Sequence, residues 1–207
     1  MYYINENTVK DTVDQSSINQ VIEDVFISLT RNDAFNFPVV RDSLDYRDAI
    51  FGFKSAFDRS GPTLAIKAGG LWPSNRDLGL PNHQSTIMLF DPETGGPYAL
   101  VLGTYLTALR TAAASALSIR ALARDNAKAL GVVGAGGQAL YQVHAAMAER
   151  EFERVYIYDE NEKNAQALAN SLANDVEAIV EVSPALLAPQ SDVIITITPS
   201  RKPILNL

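Results

Sequence analysis

The chain has 207 residues, 47% of them hydrophobic and 20% charged, and a formal net charge of −7. This is the composition of a folded globular protein, and it excludes disorder and collagen-like structure. The absence of cysteine excludes disulfide scaffolds, thiolate metal sites and cysteine nucleophiles. An acidic chain without a basic stripe is a poor match for nucleic-acid binding.

No apolar run reaches the roughly 18 residues that a membrane span requires. The N-terminus, Met1 to Glu6, has neither the basic nor the apolar region of a signal peptide. We therefore expect a cytoplasmic protein that binds neither nucleic acid nor membrane. The two histidines, His83 and His144, lie far apart in the sequence, and we expect no metal site.

The first part of the chain mixes helices and strands. Apolar spacing predicts a helix over 17–30, with Ser17 and Gln20 forming a capping box. Strands are predicted at 50–57, 63–69, 85–91 and 97–102, the last two joined by a turn at 91–96. An alanine-rich helix follows from 107 to about 123.

The second part alternates strand and helix regularly. Strands are predicted at 129–133, 154–158, 176–182 and 191–197, and helices at 137–149 and 161–173. This alternation predicts a parallel sheet with right-handed crossovers. We therefore expect an α/β protein: a mixed α/β domain at 1–125 and the first half of a Rossmann-like, doubly wound domain at 126–207.

A glycine-rich turn follows the first strand of the second domain and opens a helix. Gly134, Gly136 and Ala139 fill the pattern G-x-G-x-x-G/A, which permits a tight turn, a close approach of a pyrophosphate and close helix packing. The helix N-terminus would offer free N–H groups to the phosphates. The pattern predicts dinucleotide binding.

Asp159 ends the next strand, where the dinucleotide fingerprint requires an acidic residue. A carboxylate accepts hydrogen bonds from both ribose hydroxyls of NAD and repels the 2′-phosphate of NADP, so we expect NAD. Asp159 could also be the N-cap of the following helix.

Three cations stand among apolar or small residues: Arg41, Lys67 and Arg110. A buried cation is unfavourable without an anion nearby, so the three together indicate a carboxylate site. Each one alone could equally be a snorkelling or salt-bridged side chain.

Several segments together resemble the ornithine cyclodeaminase/mu-crystallin family. The most specific are Leu106–Ala116, with its Arg-Thr-Ala-Ala core, and the Gly-Ala-Gly-Gly-Gln-Ala turn at 134–139. Segments 36–41, 51–54, 67–75 and 82–86 are similar, within that family, to the bacterial iminosuccinate reductases.

The resemblance implies an NAD(H)-dependent reductase of a 2-imino acid, iminosuccinate to L-aspartate, working as a homodimer. The N-terminal domain would bind the small carboxylate substrate and form the dimer. The implied substrate ligands are Arg41, Lys67 and Arg110. The implied cofactor contacts are Asn82, Arg110, Thr111, Gly134, Gly136, Gly137, Gln138, Asp159 and Thr198.

Members of the family are longer than this chain, so we expect a fragment that aggregates or binds NAD poorly. The catalytic acid of the cyclodeaminases would lie beyond Leu207, and no catalytic residue is assigned. A dicarboxylate needs a second cation or donor, for which Lys54, His83 and Arg76 are the candidates.

Two other functions stay open at this point. One is deamination of an amino acid, as in ornithine cyclodeaminase or alanine dehydrogenase. The other is a cofactor-binding protein without turnover, as the resemblance to mu-crystallin allows.

Overall fold

The computed structural model describes residues 1–205, except the side chain of Arg76. The chain forms two compact units, one from Met1 to Arg110 and one from Thr111 onward. The division falls inside a helix, 15 residues before the sequence-based boundary at 125/126, and the functional assignment of the two domains stays a prediction. No helix among the described residues is long and apolar enough to cross a membrane.

The first unit is built on a seven-stranded sheet. Its strands are β1 (Tyr2–Ile4), β2 (Ala34–Asn36), β3 (Val40–Ser43), β4 (Ile50–Asp58), β5 (Thr63–Leu71), β6 (His83–Phe90) and β7 (Pro97–Leu102). Its helices are α1 (Glu6–Thr12), α2 (Gln15–Thr30) and the start of α3 (Thr104–Leu122). The strand order is β1-β7-β6-β5-β4-β2, and β3 pairs with β4.

Strands β4 to β7 form an antiparallel meander, which confirms the predicted hairpin between β6 and β7. The side chains of an antiparallel sheet alternate between its two faces. Residues that stand directly opposite one another on β3, β4, β5 and β6 therefore share a face.

The second unit contains the predicted parallel sheet. Its strands are β8 (Ala129–Val133), β9 (Arg154–Tyr158), β10 (Glu177–Val180) and β11 (Val193–Thr196), in the order β10-β9-β8-β11. The helices after α3 are α4 (Ala139–Met147), α5 (Glu162–Leu172) and α6 (Pro184–Leu187). Leu130, Val132, Val155 and Ile157 are fully buried, as expected for strands covered on both faces.

Two helices, α2 and α3, begin earlier than predicted. Helix α2 begins at Gln15, and its cap is Asp14, whose carboxylate accepts the backbone N–H of Ser17. Ser17 is therefore inside the helix and is not its capping residue. The segment between β5 and β6 also contains a 3-10 helix at Pro73–Leu78 that the sequence did not indicate.

Helix α3 begins at Thr104, three residues before the predicted start. Its cap comes from α1: the two carboxylate oxygens of Glu6 accept the backbone N–H groups of Thr104 and Tyr105 at 2.8 and 3.0 Å. A carboxylate at a helix N-terminus satisfies free donors and interacts favourably with the helix dipole. Glu6 thus anchors the helix segment that carries Thr107 and Arg110.

Replacing Glu6 with alanine leaves two helix donors without their acceptor. We expect Glu6→Ala to lower the free energy of unfolding by about 1 kcal/mol, as loss of a helix cap does. Thermal unfolding of the purified chain measures the effect, with Glu160→Ala on an exposed turn as the matched control. Equal melting temperatures for the two variants would contradict this role.

Candidate functional site

A row of four residues crosses one face of the sheet in the first unit. Arg41 on β3 stands opposite Gly52 on β4, Gly52 opposite Gly69 on β5, and Gly69 opposite Ser85 on β6. We call these four residues the glycine row. Its two central residues are glycines and carry no side chain.

The backbones along the glycine row approach too closely for any larger residue. A Cβ atom at Gly52 would lie 2.8 Å from the Cα of Arg41. One at Gly69 would lie 2.6 Å from the Cβ of Ser85. Real Cβ atoms essentially never approach other heavy atoms this closely, so both glycines are required by the packing of the strands.

Two lysines flank the glycine row on one side. Lys54 and Lys67 are direct partners on β4 and β5, on the same face as the row. On its other side, His83 on β6 stands opposite Leu71. Like charges directly opposite one another destabilise a sheet, so the lysine pair is an unfavourable arrangement in the absence of an anion.

Lys67 is held in place by the hydroxyl of Thr107. Its Nζ donates to Thr107 Oγ1 at 2.6 Å. The same hydroxyl donates to the carbonyl of Gly103 at 2.7 Å and lies 3.1 Å from the hydroxyl of Ser85. Because the Thr107 proton goes to Gly103, Ser85 is the donor in that last contact. One buried hydroxyl therefore connects β5, β6 and α3.

Burial, together with the nearby charges of Arg110 and Lys54, lowers the pKa of Lys67 to about 8, and burial is the largest of these causes. Burial also lowers the pKa of His83, assisted by Lys67, Arg110, Arg41 and Lys54. His83 is therefore neutral at neutral pH. These shared effects show that the cations lie close together.

The expectation of three buried cations is wrong in part. Lys67 is half-buried, but Arg41 and Arg110 are exposed. Desolvation by surrounding atoms still lowers the pKa of Arg110. The two arginines can therefore reach a ligand from solvent while Lys67 holds a fixed position beneath it.

We call Arg41, Lys54, Lys67 and Arg110 the cation cluster. Among residues 1–205, none of the four forms an ion pair with a carboxylate, although the chain as a whole is acidic. A small carboxylate ligand would supply negative charge to these four cations, which have no acidic partner. In the same range, no group of three His, Asp or Glu side chains is placed to hold a metal.

The glycine-rich turn of the second unit has the geometry that a dinucleotide requires. Gly134 has a φ of 102°, in the region that favours glycine. A Cβ there would lie 2.7 Å from the carbonyl oxygen of Ile197 and 2.8 Å from Cγ2 of Thr198. A Cβ at Gly136 or Gly137 would meet nothing within 4 Å, which leaves open space before the start of α4.

Asp159 lies at the same edge of the sheet and braces this turn. Its Oδ2 accepts the backbone N–H of Ala135 at 2.7 Å, and its Oδ1 accepts the N–H of Asn161 at 2.9 Å and the side-chain amide of Asn164 at 3.2 Å. A carboxylate has about four acceptor positions, so one remains for a ribose hydroxyl. The N-cap of α5 is Asn161 rather than Asp159.

Of the other implied cofactor residues, three lie in the second unit and one lies in the first. Thr198 contacts the glycine-rich turn, and Gln138 has a buried amide oxygen without a hydrogen-bond partner in the described part of the chain. Thr111 lines a groove between α3 and β11. Asn82 lies in the first unit, where its carbonyl accepts the backbone N–H of Trp72. All four roles stay predictions.

Sequence reasoning missed Ser85 and Thr107 as parts of the site. A hydroxyl residue carries no charge signal, and its role depends on contacts between distant segments. The alternation along the strands could have placed Ser85 on the face of Lys67. Of the three candidates for a second cation, Lys54 and His83 lie beside the glycine row, whereas the side chain of Arg76 is outside the described residues.

Comparison with known proteins identifies the family. The profile of the Ornithine cyclodeaminase/mu-crystallin family matches residues 7–207. The chain belongs to this family. The resemblance stated from the sequence is therefore confirmed, and so is the expected α/β fold with a Rossmann-like domain.

Several members of the ornithine cyclodeaminase/mu-crystallin family are similar over almost the whole chain. Iminosuccinate reductase of Paracoccus denitrificans is 43% identical over 99% of this chain and 64% of its own length. Its structure in complex with NAD+ has a TM-score of 0.89 and covers 98% of this chain. The chain thus spans less than two-thirds of the length of this relative.

Two further structures extend the comparison. Delta(1)-pyrroline-2-carboxylate reductase of Thermococcus litoralis, in complex with NADH and L-proline, is 29% identical with a TM-score of 0.94, covering 99% of this chain and 64% of that one. An archaeal alanine dehydrogenase, a dimer with bound NAD, is 30% identical with a TM-score of 0.90, covering 99% and 62%.

The lowered pKa of Lys67 predicts that a carboxylate bound at this residue would bind in a pH-dependent way. Below a pH of about 8 its ammonium is charged, and it loses the proton as the pH rises through that value. We expect the affinity for a small carboxylate such as succinate to fall over this range, measured by calorimetric titration. Lys67→Met should bind more weakly with a flatter pH profile. A wild-type affinity that stays constant with pH would contradict the assignment.

The glycine-rich turn offers a matched pair of substitutions. Gly134→Ala should lower both the melting temperature and the NADH affinity, because its Cβ collides with the chain itself. Gly136→Ala should leave the melting temperature unchanged and weaken only NADH binding, because its Cβ enters open space. NADH fluorescence titration and thermal unfolding separate the two effects. Undiminished NADH affinity in Gly136→Ala would exclude the turn as the pyrophosphate site.

Proposed function

We propose that this chain belongs to an NAD(H)-dependent reductase of 2-imino acids whose substrate is iminosuccinate, reduced to L-aspartate. The cation cluster is the observation that carries the proposal, because its four charges without acidic partners suit a substrate with two carboxylates. The 43% identity to the iminosuccinate reductase of Paracoccus denitrificans supports the same substrate.

The substrate carboxylate next to the imine would bind Arg41, Lys67 and Arg110. An arginine offers a planar pair of donors to a carboxylate, and a lysine offers a point charge. Lys67 approaches with its ammonium already oriented by Thr107, so less freedom is lost when the ligand binds. Neutralising the carboxylate also makes the neighbouring imine carbon a better hydride acceptor.

The cofactor would bind the glycine-rich turn of the second unit. Gly134, Gly136, Gly137 and Gln138 would contact the pyrophosphate side, with Asp159 on the ribose and Thr198 beside the turn. Asn82, Arg110 and Thr111 are proposed as further contacts. When bound, NADH supplies the hydride for the imine carbon. The carboxylate of Asp159 favours NADH over NADPH, whose 2′-phosphate it would repel.

The cation cluster argues against ornithine as the substrate. Ornithine carries a second ammonium group, which Lys54 and Lys67 would repel, whereas a second carboxylate would be attracted to them. A cofactor-binding protein without turnover has no need of a carboxylate site. The imino acid reductase is therefore the function that this site fits best.

We also propose that the protein acts as a homodimer in the cytoplasm. Helix α2 leaves Val21, Val25 and Phe26 exposed, which is an apolar surface that a second copy could cover. The archaeal alanine dehydrogenase is solved as a dimer. Sedimentation of the purified chain tests the assembly.

The function is tested by following NADH oxidation with oxaloacetate and ammonia, which together form iminosuccinate, using a protein extended to the length of its relatives. We expect turnover with this pair and none with ornithine and NAD. Arg41→Ala should lower kcat/KM by roughly 100-fold, since a charge-assisted contact is lost. The absence of NADH oxidation with every imine, while NADH still binds, would show a binding protein rather than an enzyme.

A further inference from the structure

The cation cluster contains one charge more than a single carboxylate requires. Arg41, Lys67 and Arg110 suffice for the carboxylate next to the imine. Lys54 is the remaining member, and it stands directly opposite Lys67 across the β4–β5 pair. Side chains in this position lie about 5 Å apart at Cβ, so their ammonium groups can contact two carboxylates of one small molecule.

The side chain of Lys54 is available to a ligand. It is exposed, and it forms no hydrogen bond or ion pair with any other described residue. Its charge lowers the pKa of Lys67, so the pair opposes folding in the absence of an anion. A dianion that bridges the two ammonium groups would remove this repulsion.

The two other candidates for a second carboxylate ligand are weaker. His83 lies on the far side of the glycine row and is neutral at neutral pH, so it offers one hydrogen bond and no charge. The side chain of Arg76 is outside the described residues.

We propose that Lys54 binds the second carboxylate of the substrate and thereby selects dicarboxylate imines over monocarboxylate imines. This inference rests on the proposed function, since it assigns a residue to the substrate named there. Lys54 touches the carboxylate remote from the reacting carbon, so it determines specificity and has no part in hydride transfer.

Three variants of the full chain test the proposal. Lys54→Met keeps the length of the side chain and removes its charge, whereas Lys54→Arg keeps a charge. Arg31→Met removes an exposed charge at the end of α2, outside the cation cluster, and is the matched control. Thermal unfolding and NADH affinity are measured for each variant. Lys54→Met should not lower the melting temperature, since it removes the repulsion of Lys67, and NADH affinity should change by no more than in the control.

The kinetic readout compares two substrates. With oxaloacetate and ammonia, Lys54→Met should raise KM about tenfold or more and leave kcat nearly unchanged. With pyruvate and ammonia, which form a monocarboxylate imine, KM should not rise. Lys54→Arg should recover most of the preference for the dicarboxylate. An equal effect of Lys54→Met on both substrates, or none on either, would overturn the proposal.

A binding readout separates this inference from the proposed function. Calorimetric titration with succinate and with propionate needs no turnover. We expect Lys54→Met to weaken succinate binding about tenfold and to leave propionate binding unchanged. If no imine oxidises NADH but this pattern holds, the proposed function fails and the dicarboxylate site stands. If wild-type protein binds succinate no more tightly than propionate, the site assignment is overturned.

Discussion

The hydrogen bond from Lys67 to Thr107 is the contact on which the site in the first unit depends. A half-buried ammonium is stable only when its donors are satisfied. The hydroxyl oxygen of Thr107 is the acceptor, and its proton is donated to the carbonyl of Gly103. The hydroxyl of Ser85 donates to the same oxygen. Because Thr107 lies on α3, the same contact fixes Arg110 one turn further along. The cap by Glu6 supports this helix from its other end.

Much of the fold could be predicted from the sequence, because its strands and helices carry regular apolar patterns. The parallel sheet β10-β9-β8-β11 and the hairpin of β6 and β7 were both indicated in this way. The caps were not. Glu6 lies 98 residues before Thr104, and no local pattern connects them. The short strands β1 to β3 also lack a pattern of their own, because they are defined by the strands they pair with.

The candidate site was partly visible in the sequence. Arg41, Lys67 and Arg110 stand out as cations among apolar neighbours, and the structure brings them together. Their burial was overestimated because the sequence does not show which face of the sheet is open to solvent. The glycine row was not visible, since Gly52 and Gly69 acquire their meaning only from the register of β3 to β6.

The glycine row divides the site into positions that can vary and positions that cannot. No Cβ fits at Gly52 or Gly69, so a substitution at either position prevents folding and is eliminated by selection. Lys54 and His83 lie on either side of it and meet no such restriction. New substrate preferences should therefore evolve by substitution of Lys54 and His83, while Gly52 and Gly69 stay unchanged. A mutant library for altered substrate selectivity is best confined to the same two positions.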